Sequence, residues 1–144
     1  MKRLHADQRG LAAVEAALGM LLLVPLFLVL IEASKALMEY SQLQNAAMEG
    51  ARMLARQNGD ASGVEEYVKS LFTGEGSALD GADPTVTISP RDADNNVTVQ
   101  VDHAFSPLFA PQTDAQGQPG PFELLGIDGL ALSARTIMAL PAEN

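Results

Sequence analysis

The sequence contains no cysteine, and this absence excludes several classes of protein. Without a thiol there is no disulfide, no thiolate metal site, no cysteine nucleophile and no lipid-modified cysteine near the N-terminus. Basic residues are also scarce, with nine Lys and Arg against eighteen Asp and Glu, and the formal net charge is -9. Such an acidic chain has no electrostatic reason to bind nucleic acid or an anionic membrane surface.

Residues that could bind a metal ion are few and poorly spaced. Asp92 and Asp94 open like the loop of a calcium site, but Val97 stands where the sharp-turn glycine should be. His103 occupies the position of the bidentate glutamate. The other histidine is His5, and two histidines alone cannot complete a three-ligand zinc site. We therefore predict a solvated hairpin turn at Asp92, with no metal site and no cofactor.

The residue types of a hydrolase triad occur together in Asp102, His103 and Ser106. They are neighbours along one predicted strand, where alternate side chains point to opposite faces, and no nucleophile elbow is present. The sequence also has no Gly-rich phosphate loop, Walker lysine or basic-aromatic patch. We therefore expect no catalytic residues, no small-molecule substrate and no enzyme activity.

The longest apolar run extends from Leu11 to Ile31 and contains one charged residue, Glu15. At about 1.5 Å per helical residue the run reaches roughly 30 Å, the thickness of a bilayer core. Three basic residues lie before it, whereas Glu32 and Glu39 follow it around one lysine, so the positive-inside rule places the N-terminus in the cytoplasm. A cleaved secretory signal would need an A-x-A-like site, which does not follow Ile31. The sequence predicts a transmembrane helix over residues 11–31.

Residues 1–10 form a short basic leader that ends at Gly10. If the chain is cut after Gly10, Leu11 becomes the first residue of the product and Glu15 the fifth. In a packed bundle of helices, the Glu15 carboxylate then lies within reach of a neighbouring subunit's amino terminus, and the two charges neutralise each other. Alternatively, Glu15 lies at the headgroup level and faces water, or pairs with Arg9.

The N-terminal third resembles a known family of pilus proteins. The matching features are, in order, Arg9-Gly10, Val14-Glu15, Ala17-Leu18, an apolar stretch with Pro25, Glu32, and a block made of Asn45, Ala46, Ala47, Met48, Glu49, Gly50, Ala51 and Arg52. This order is similar to that of type IV prepilins and, more specifically, of the TadE-like proteins, the minor pseudopilins of the tight-adherence (Tad/Flp) pilus systems. One position departs from the pattern, because Ala16 stands where related sequences usually carry an aromatic residue.

The resemblance implies a bacterial inner-membrane protein that a prepilin peptidase cuts between Gly10 and Leu11, with Glu15 aligning the subunit. It implies as partners the lipid bilayer, the peptidase, other pilin or pseudopilin subunits and assembly proteins. Our leading hypothesis is therefore a pilin-like structural subunit that takes part in pilus biogenesis and adhesion. The alternative is an uncleaved, single-pass membrane-anchored protein whose outer domain binds a partner.

Residues 32–58 favour helix and are predicted to continue the span as an amphipathic stalk. Mostly small side chains recur at steps of four and three and form one seam, which consists of Ala36, Tyr40, Leu43, Ala47, Gly50 and Leu54. Polar residues, Glu39 among them, are expected on other faces. The seam packs either on the protein's own outer domain or on the helices of other subunits, and periodicity cannot name the partner. Within the span, Pro25 is expected to kink the helix.

Residues 59–144 are expected to form a small acidic domain outside the cytoplasm, periplasmic or extracellular. The pattern predicts a short helix over Val64–Phe72 and strands at Thr85–Ser89, Val97–Asp102 and Leu130–Leu140, the first two joined as a hairpin. One face of the hairpin carries Val86, Ile88, Val97, Val99 and Val101. The predicted fold class is α+β, with a long N-terminal helix, a short helix and an antiparallel sheet of about three strands.

Two loops complete the predicted domain. Gly74–Pro84 connects the short helix to the first strand, and Ser106–Gly129 is rich in proline and glycine, with one turn of helix at Phe122–Leu125. The second loop is too long for a plain connection, so it is either the best candidate for contact with a partner or simply a mobile loop.

Overall fold

The fold is α+β, as the sequence predicts. The computed structural model describes residues 8–73, 79, 83–109 and 130–140. Its elements, in chain order, are α1 (Gln8–Arg56), α2 (Val64–Ser70), β1 (Thr85–Ser89), β2 (Asn96–Ala104) and β3 (Ala131–Ala139). The predicted helix turn at Phe122–Leu125, and most of both predicted loops, lie outside the described residues.

Helix α1 is one continuous element of 49 residues, roughly 70 Å long at 1.5 Å per residue. It runs through Pro25, whose missing N–H leaves one carbonyl of the preceding turn without its helical donor. The helix ends where Asn58 takes the left-handed conformation, with φ 55. There the N–H of Gly59 donates to the Leu54 carbonyl at 2.9 Å and that of Asn58 to the Ala55 carbonyl at 3.2 Å. This is a Schellman motif, which satisfies two of the last helical carbonyls.

The three strands form one antiparallel sheet in the order β1-β2-β3. In the register, Val86 pairs with Val101 and Ile88 with Val99, so the alternating apolar residues of the predicted hairpin lie on one face. Strand β2 is central, and its residues Val97, Val99 and Val101 are buried. The predicted inward face of the hairpin is therefore confirmed.

The core lies between this face of the sheet and the two helices. Its buried members are Leu43, Ala46, Ala47, Ala51, Leu54, Val64, Val68, Phe72, Leu79, Val97, Val99, Val101, Ala134 and Leu140. The C-terminal half of α1 is thus built into the C-terminal domain as its main helix. A core of this size is small, and most of the apolar residues that α1 contributes to it are alanine and glycine, so close approach of backbones replaces large side chains.

Gly50 lies at the tightest point of this packing. A Cβ atom added to it would stand 2.6 Å from Cγ2 of Val68 and 3.3 Å from Cγ1 of Val99. Valine is stiff at χ1, so the Val68 methyl cannot rotate away at little cost. Glycine is therefore required at position 50 because helices α1 and α2 approach each other too closely for a side chain.

We expect Gly50→Ala to destabilise the outer domain by up to about 2 kcal/mol. Overpacking of a core costs about 1–3 kcal/mol, whereas replacing glycine by alanine inside a helix gains about 1 kcal/mol. Hydrogen exchange of the β2 amides, measured on the full chain in detergent micelles, reports the opening free energy of the central strand.

The control for this prediction is the same substitution in a Val68→Ala background. Removing the Val68 methyls removes the 2.6 Å contact and leaves the 3.3 Å contact with Cγ1 of Val99, so Gly50→Ala should then accelerate exchange much less than it does beside Val68. An equal acceleration in both backgrounds would show that the contact with Val68 does not decide the choice of glycine.

Candidate functional site on the N-terminal helix

Helix α1 divides into two parts by exposure. Side chains from Gly10 to Ile31 are exposed, apart from the half-buried Leu28, although most of them are large and apolar. From Glu32 onward, buried residues recur along one face. The first part is therefore an apolar surface of about 30 Å that no described part of the protein covers. In the ranges that the structure describes, this is the one helix long and apolar enough to cross a membrane.

The predicted cleavage residues and Glu15 lie in the first turns of this exposed part. Gly10 and Leu11 are exposed, and a Cβ atom added at Gly10 would meet nothing within 4 Å. Glu15 is exposed as well, between apolar residues that are also exposed. The structure therefore leaves the Gly10–Leu11 bond and the Glu15 carboxylate available to other molecules, while their roles stay predictions.

The predicted seam of the stalk divides between the core and the surface. Leu43, Ala47, Gly50 and Leu54 are buried against the protein's own sheet and α2. Ala36 is half-buried, and Tyr40 is exposed. The sequence left two partners for the seam, the protein's own domain or the helices of other subunits. In this structure the protein's own domain covers the C-terminal part of the seam.

The Asn45–Arg52 block contributes its small residues to the same interface. Ala46, Ala47, Gly50 and Ala51 are buried and allow the sheet and α2 to approach the helix. Asn45 is exposed, and Glu49 and Arg52 form an ion pair at 2.8 Å on the outer side, where such pairs contribute little to stability. The spacing of this block is therefore explained by the packing of the chain on itself.

Glu39 corrects an expectation, because it does not occupy an outer face. The residue is 2% exposed and lies on the buried face, four residues before Leu43. Its Oε1 is 3.2 Å from Nζ of Lys35, and its Oε2 is 3.9 Å from Nε2 of His103, beyond hydrogen-bond distance. Burial of a carboxylate is costly without a partner, and the lysine on the same helix provides one.

Glu32 is a second buried acid on the same face, one heptad before Glu39. Its Oε1 accepts a hydrogen bond of 2.7 Å from the backbone N–H of Phe109. Between the two acids, Lys35 donates to the backbone carbonyl of Ser106 and lies 5.1 Å from the centroid of the Phe105 ring. We call Glu32, Lys35, Glu39 and His103 the junction cluster, because they join the segment after β2 to the helix at the end of the apolar stretch.

The three residues of the suspected triad make separate contacts. Asp102 accepts from Nε2 of Gln100 at 3.0 Å, and His103 faces Glu39. The carbonyl of Ser106, and not its hydroxyl, takes part in the junction cluster. These contacts account for Asp102 and His103 as structural residues at the end of a strand.

The turn at Asp92 is built by hydrogen bonds within the chain. Oδ1 of Asp92 accepts from the backbone N–H groups of Asn96 at 2.7 Å and Asp94 at 3.0 Å. The backbone hydrogen bond from Asn96 is the main cause that holds the pKa of Asp92 below its ordinary value. Asn95 completes the turn with φ 64. In the described residues, no group of three or more His, Cys, Asp and Glu side chains could hold a metal ion.

Helix α1 contains a segment that matches a known protein family. Residues 10–52 match the family model for the TadE-like proteins, from the predicted cleavage glycine to the end of the small-residue block. The N-terminal helix is TadE-like. The resemblance stated above is thereby confirmed for this segment, and the TadE-like family is a pilus-associated structural family, not a family of enzymes. Neither the curated proteins nor the solved structures contain a match to the chain.

The TadE-like match includes both parts of α1, the exposed apolar part and the part packed in the core. The sequence pointed to Gly10, Glu15 and the small-residue block, which all lie in the matched segment, but it gave no expectation of the junction cluster. A signal for it exists, because Glu32, Glu39 and Ala46 are spaced by seven residues and all three are buried. Residues spaced by seven lie on one face of a helix, so two acids on the same face as a predicted core alanine indicate buried acids.

Proposed function

We propose that this protein is a pilin-like structural subunit, a minor pseudopilin that takes part in the biogenesis of a Tad/Flp-type pilus. The observation that carries the proposal is the apolar surface of Leu11–Ile31, which belongs to a TadE-like helix and has no cover in the described part of the chain. A bilayer covers such a surface first, and the helices of other subunits cover it after assembly.

The proposed organisation follows the chain. Residues 1–10 are a cytoplasmic leader, residues 11–31 span the inner membrane, residues 32–58 form the stalk, and residues 59–144 form the outer domain. The burial of Leu43, Ala47, Gly50 and Leu54 supports a stalk that is part of this domain, so that the domain cannot swing freely about the helix. Partners of the span are then other pilin-like subunits and assembly proteins.

In the proposed processing step, a prepilin peptidase cuts the chain between Gly10 and Leu11. The family match supports this site, because it begins at Gly10. After the cut, the amino group of Leu11 and the carboxylate of Glu15 are the charged groups at the start of an apolar helix. A charge pair between two subunits neutralises both, and it sets how far one helix is displaced along the other.

The alternative is a protein that keeps its leader and serves as a membrane anchor for an outer domain that binds a partner. The same exposed span supports it, and the position of Ala16 after Glu15 favours it, since related sequences usually carry an aromatic residue there. The two functions differ in one observable property, the N-terminus of the mature chain.

We expect the protein recovered from membranes and from sheared surface material to begin at Leu11. Intact mass and N-terminal sequencing of both fractions measure this directly. A chain that still begins at Met1 in both fractions would contradict the proposed processing and support the anchored alternative.

Gly10→Val and Gly19→Val are a matched pair of variants for the cleavage, because they make the same change inside and outside the proposed site. A Cβ atom at either glycine meets nothing within 4 Å, so both positions have open space for a side chain. We expect Gly10→Val to retain the leader and Gly19→Val to be cut normally. Equal processing of both variants would place the cut elsewhere.

A further inference from the structure

Soon after β2 the chain makes a turn that carries two exposed apolar side chains. Leu108 is 63% exposed and Phe109 is 37% exposed, and both belong to the turn at the end of residues 105–109. Phe105 at the start of these residues is buried, so the stretch begins packed on the protein and ends with two adjacent exposed apolar side chains. Adjacent apolar side chains that face water are unfavourable there and suit an apolar partner.

The junction cluster fixes the height of this turn along α1. The N–H of Phe109 donates to Glu32 at 2.7 Å, and the carbonyl of Ser106 accepts from Lys35. Glu32 directly follows Ile31, the last residue of the exposed apolar stretch. The turn therefore lies beside the end of the proposed span, at the boundary between hydrocarbon and headgroups.

The side chains around the turn suit this boundary. Leu28, one helical turn before Glu32 on the same face, is half-buried, whereas the other side chains from Gly10 to Ile31 are exposed. Glu32 itself is buried, so its carboxylate is not presented to lipid. Leucine and phenylalanine are side chains that enter the boundary between headgroups and acyl chains readily.

We propose that the Leu108–Phe109 turn inserts both side chains into the outer leaflet of the bilayer that α1 spans. The membrane is chosen as the partner because the turn continues the apolar surface of the span at the same level. This proposal rests on the membrane-spanning part of the proposed function and adds a second membrane contact to it. The outer domain then touches the bilayer at two points, the helix and the turn, which fixes its tilt.

The absence of cysteine allows each position to be labelled alone. Leu108→Cys and Phe109→Cys, each carrying an environment-sensitive fluorophore, are reconstituted as full chains in phosphatidylcholine vesicles at a low ratio of protein to lipid. Quenching by nitroxide groups placed at different depths on the lipids gives the depth of each label. We expect both labels about 5–10 Å inside the headgroup level, where interfacial apolar groups lie.

Two control positions separate this proposal from the proposed span. Ile137→Cys labels a side chain that is 57% exposed on β3, about 20 Å along the strand from the end near the turn, and it should not be quenched by lipid. Leu22→Cys labels the middle of the span and should be quenched by the deepest nitroxides. Absence of quenching at Leu22 would contradict the proposed span itself.

Quenching at Leu22 without quenching at Leu108 and Phe109 would overturn only the second membrane contact. A label at the turn could also show emission typical of an apolar environment without being quenched by lipid nitroxides. This result would overturn the proposal too, because protein would then cover the turn. The two positions are labelled in separate variants, so that one of them still gives a result if the label at the other disturbs the fold. For each variant, protection of the β2 amides from hydrogen exchange shows that the domain is folded.

Discussion

Glu15→Ala is expected to remove the protein from sheared pilus material while its amount in the membrane stays the same. In the proposed assembly, Glu15 neutralises the amino terminus of a neighbouring subunit inside an apolar bundle. Removing one partner of a buried pair costs about 3–5 kcal/mol, because the other charge is left unpaired. That cost corresponds to a loss of roughly a hundredfold or more in an association constant. Immunoblots of sheared and membrane fractions measure the two amounts.

The membrane fraction provides an internal check for Glu15→Ala. Replacing a carboxylate by a methyl group makes the span more apolar, so insertion should not suffer. Glu66→Ala is the matched control, since it makes the same change of charge in α2, outside the proposed span. Wild-type amounts of Glu15→Ala in sheared material would mean that Glu15 does not align the subunits.

Leu43→Ala is expected to destabilise the C-terminal domain more than Gly50→Ala does. Leu43 is a fully buried side chain of α1 that packs in the core, where most other apolar residues from α1 are alanine and glycine. Truncation of a buried leucine costs about 2–5 kcal/mol, partly for lost apolar burial and partly for the cavity left behind. Exchange of the β2 amides should accelerate about thirtyfold or more, since each 1.4 kcal/mol is a factor of ten.

Leu37→Ala is the matched control, because it makes the same truncation on the same helix. Leu37 lies six residues earlier and is 68% exposed. Exposed substitutions usually change stability by less than about 0.5 kcal/mol, so β2 exchange should hardly change. Similar acceleration in both variants would mean that the seam of the stalk does not form the core described here.

The strands and the long helix could be predicted because their residues repeat with clear periods. Val97, Val99 and Val101 alternate with polar residues along the central strand, so the face that the valines share was the one expected to be buried. Observed strand bounds differ from the predicted ones by at most two residues, since β2 continues to Ala104. Local pattern was sufficient wherever one face of an element is apolar and the other is not.

The partner of the seam and the junction cluster could not be predicted in the same way. Small residues at helical spacing permit close approach of any surface, so Gly50 gave no indication that Val68 would be its neighbour. The burial of Glu39 depends on Lys35 in the same helix and on a segment 64 residues later in the chain, around His103. Contacts between residues so far apart in the sequence follow from the packing of whole helices and strands. The periodicity of a short segment carries no information about that packing.

The exposed apolar part of α1, which is the proposed span, and the part packed in the C-terminal domain belong to one continuous helix. Because each helical residue turns the chain by about 100° and advances it by about 1.5 Å, the face of the sheet turned toward a neighbour is determined by the number of residues between Ile31 and Leu43. One residue inserted directly after Ile31 would leave the core and the junction cluster intact, yet it would turn the domain by about 100° relative to the proposed span. The number of residues in this segment therefore sets the orientation of the domain about the helix axis. A variant of unchanged stability could still have the wrong orientation.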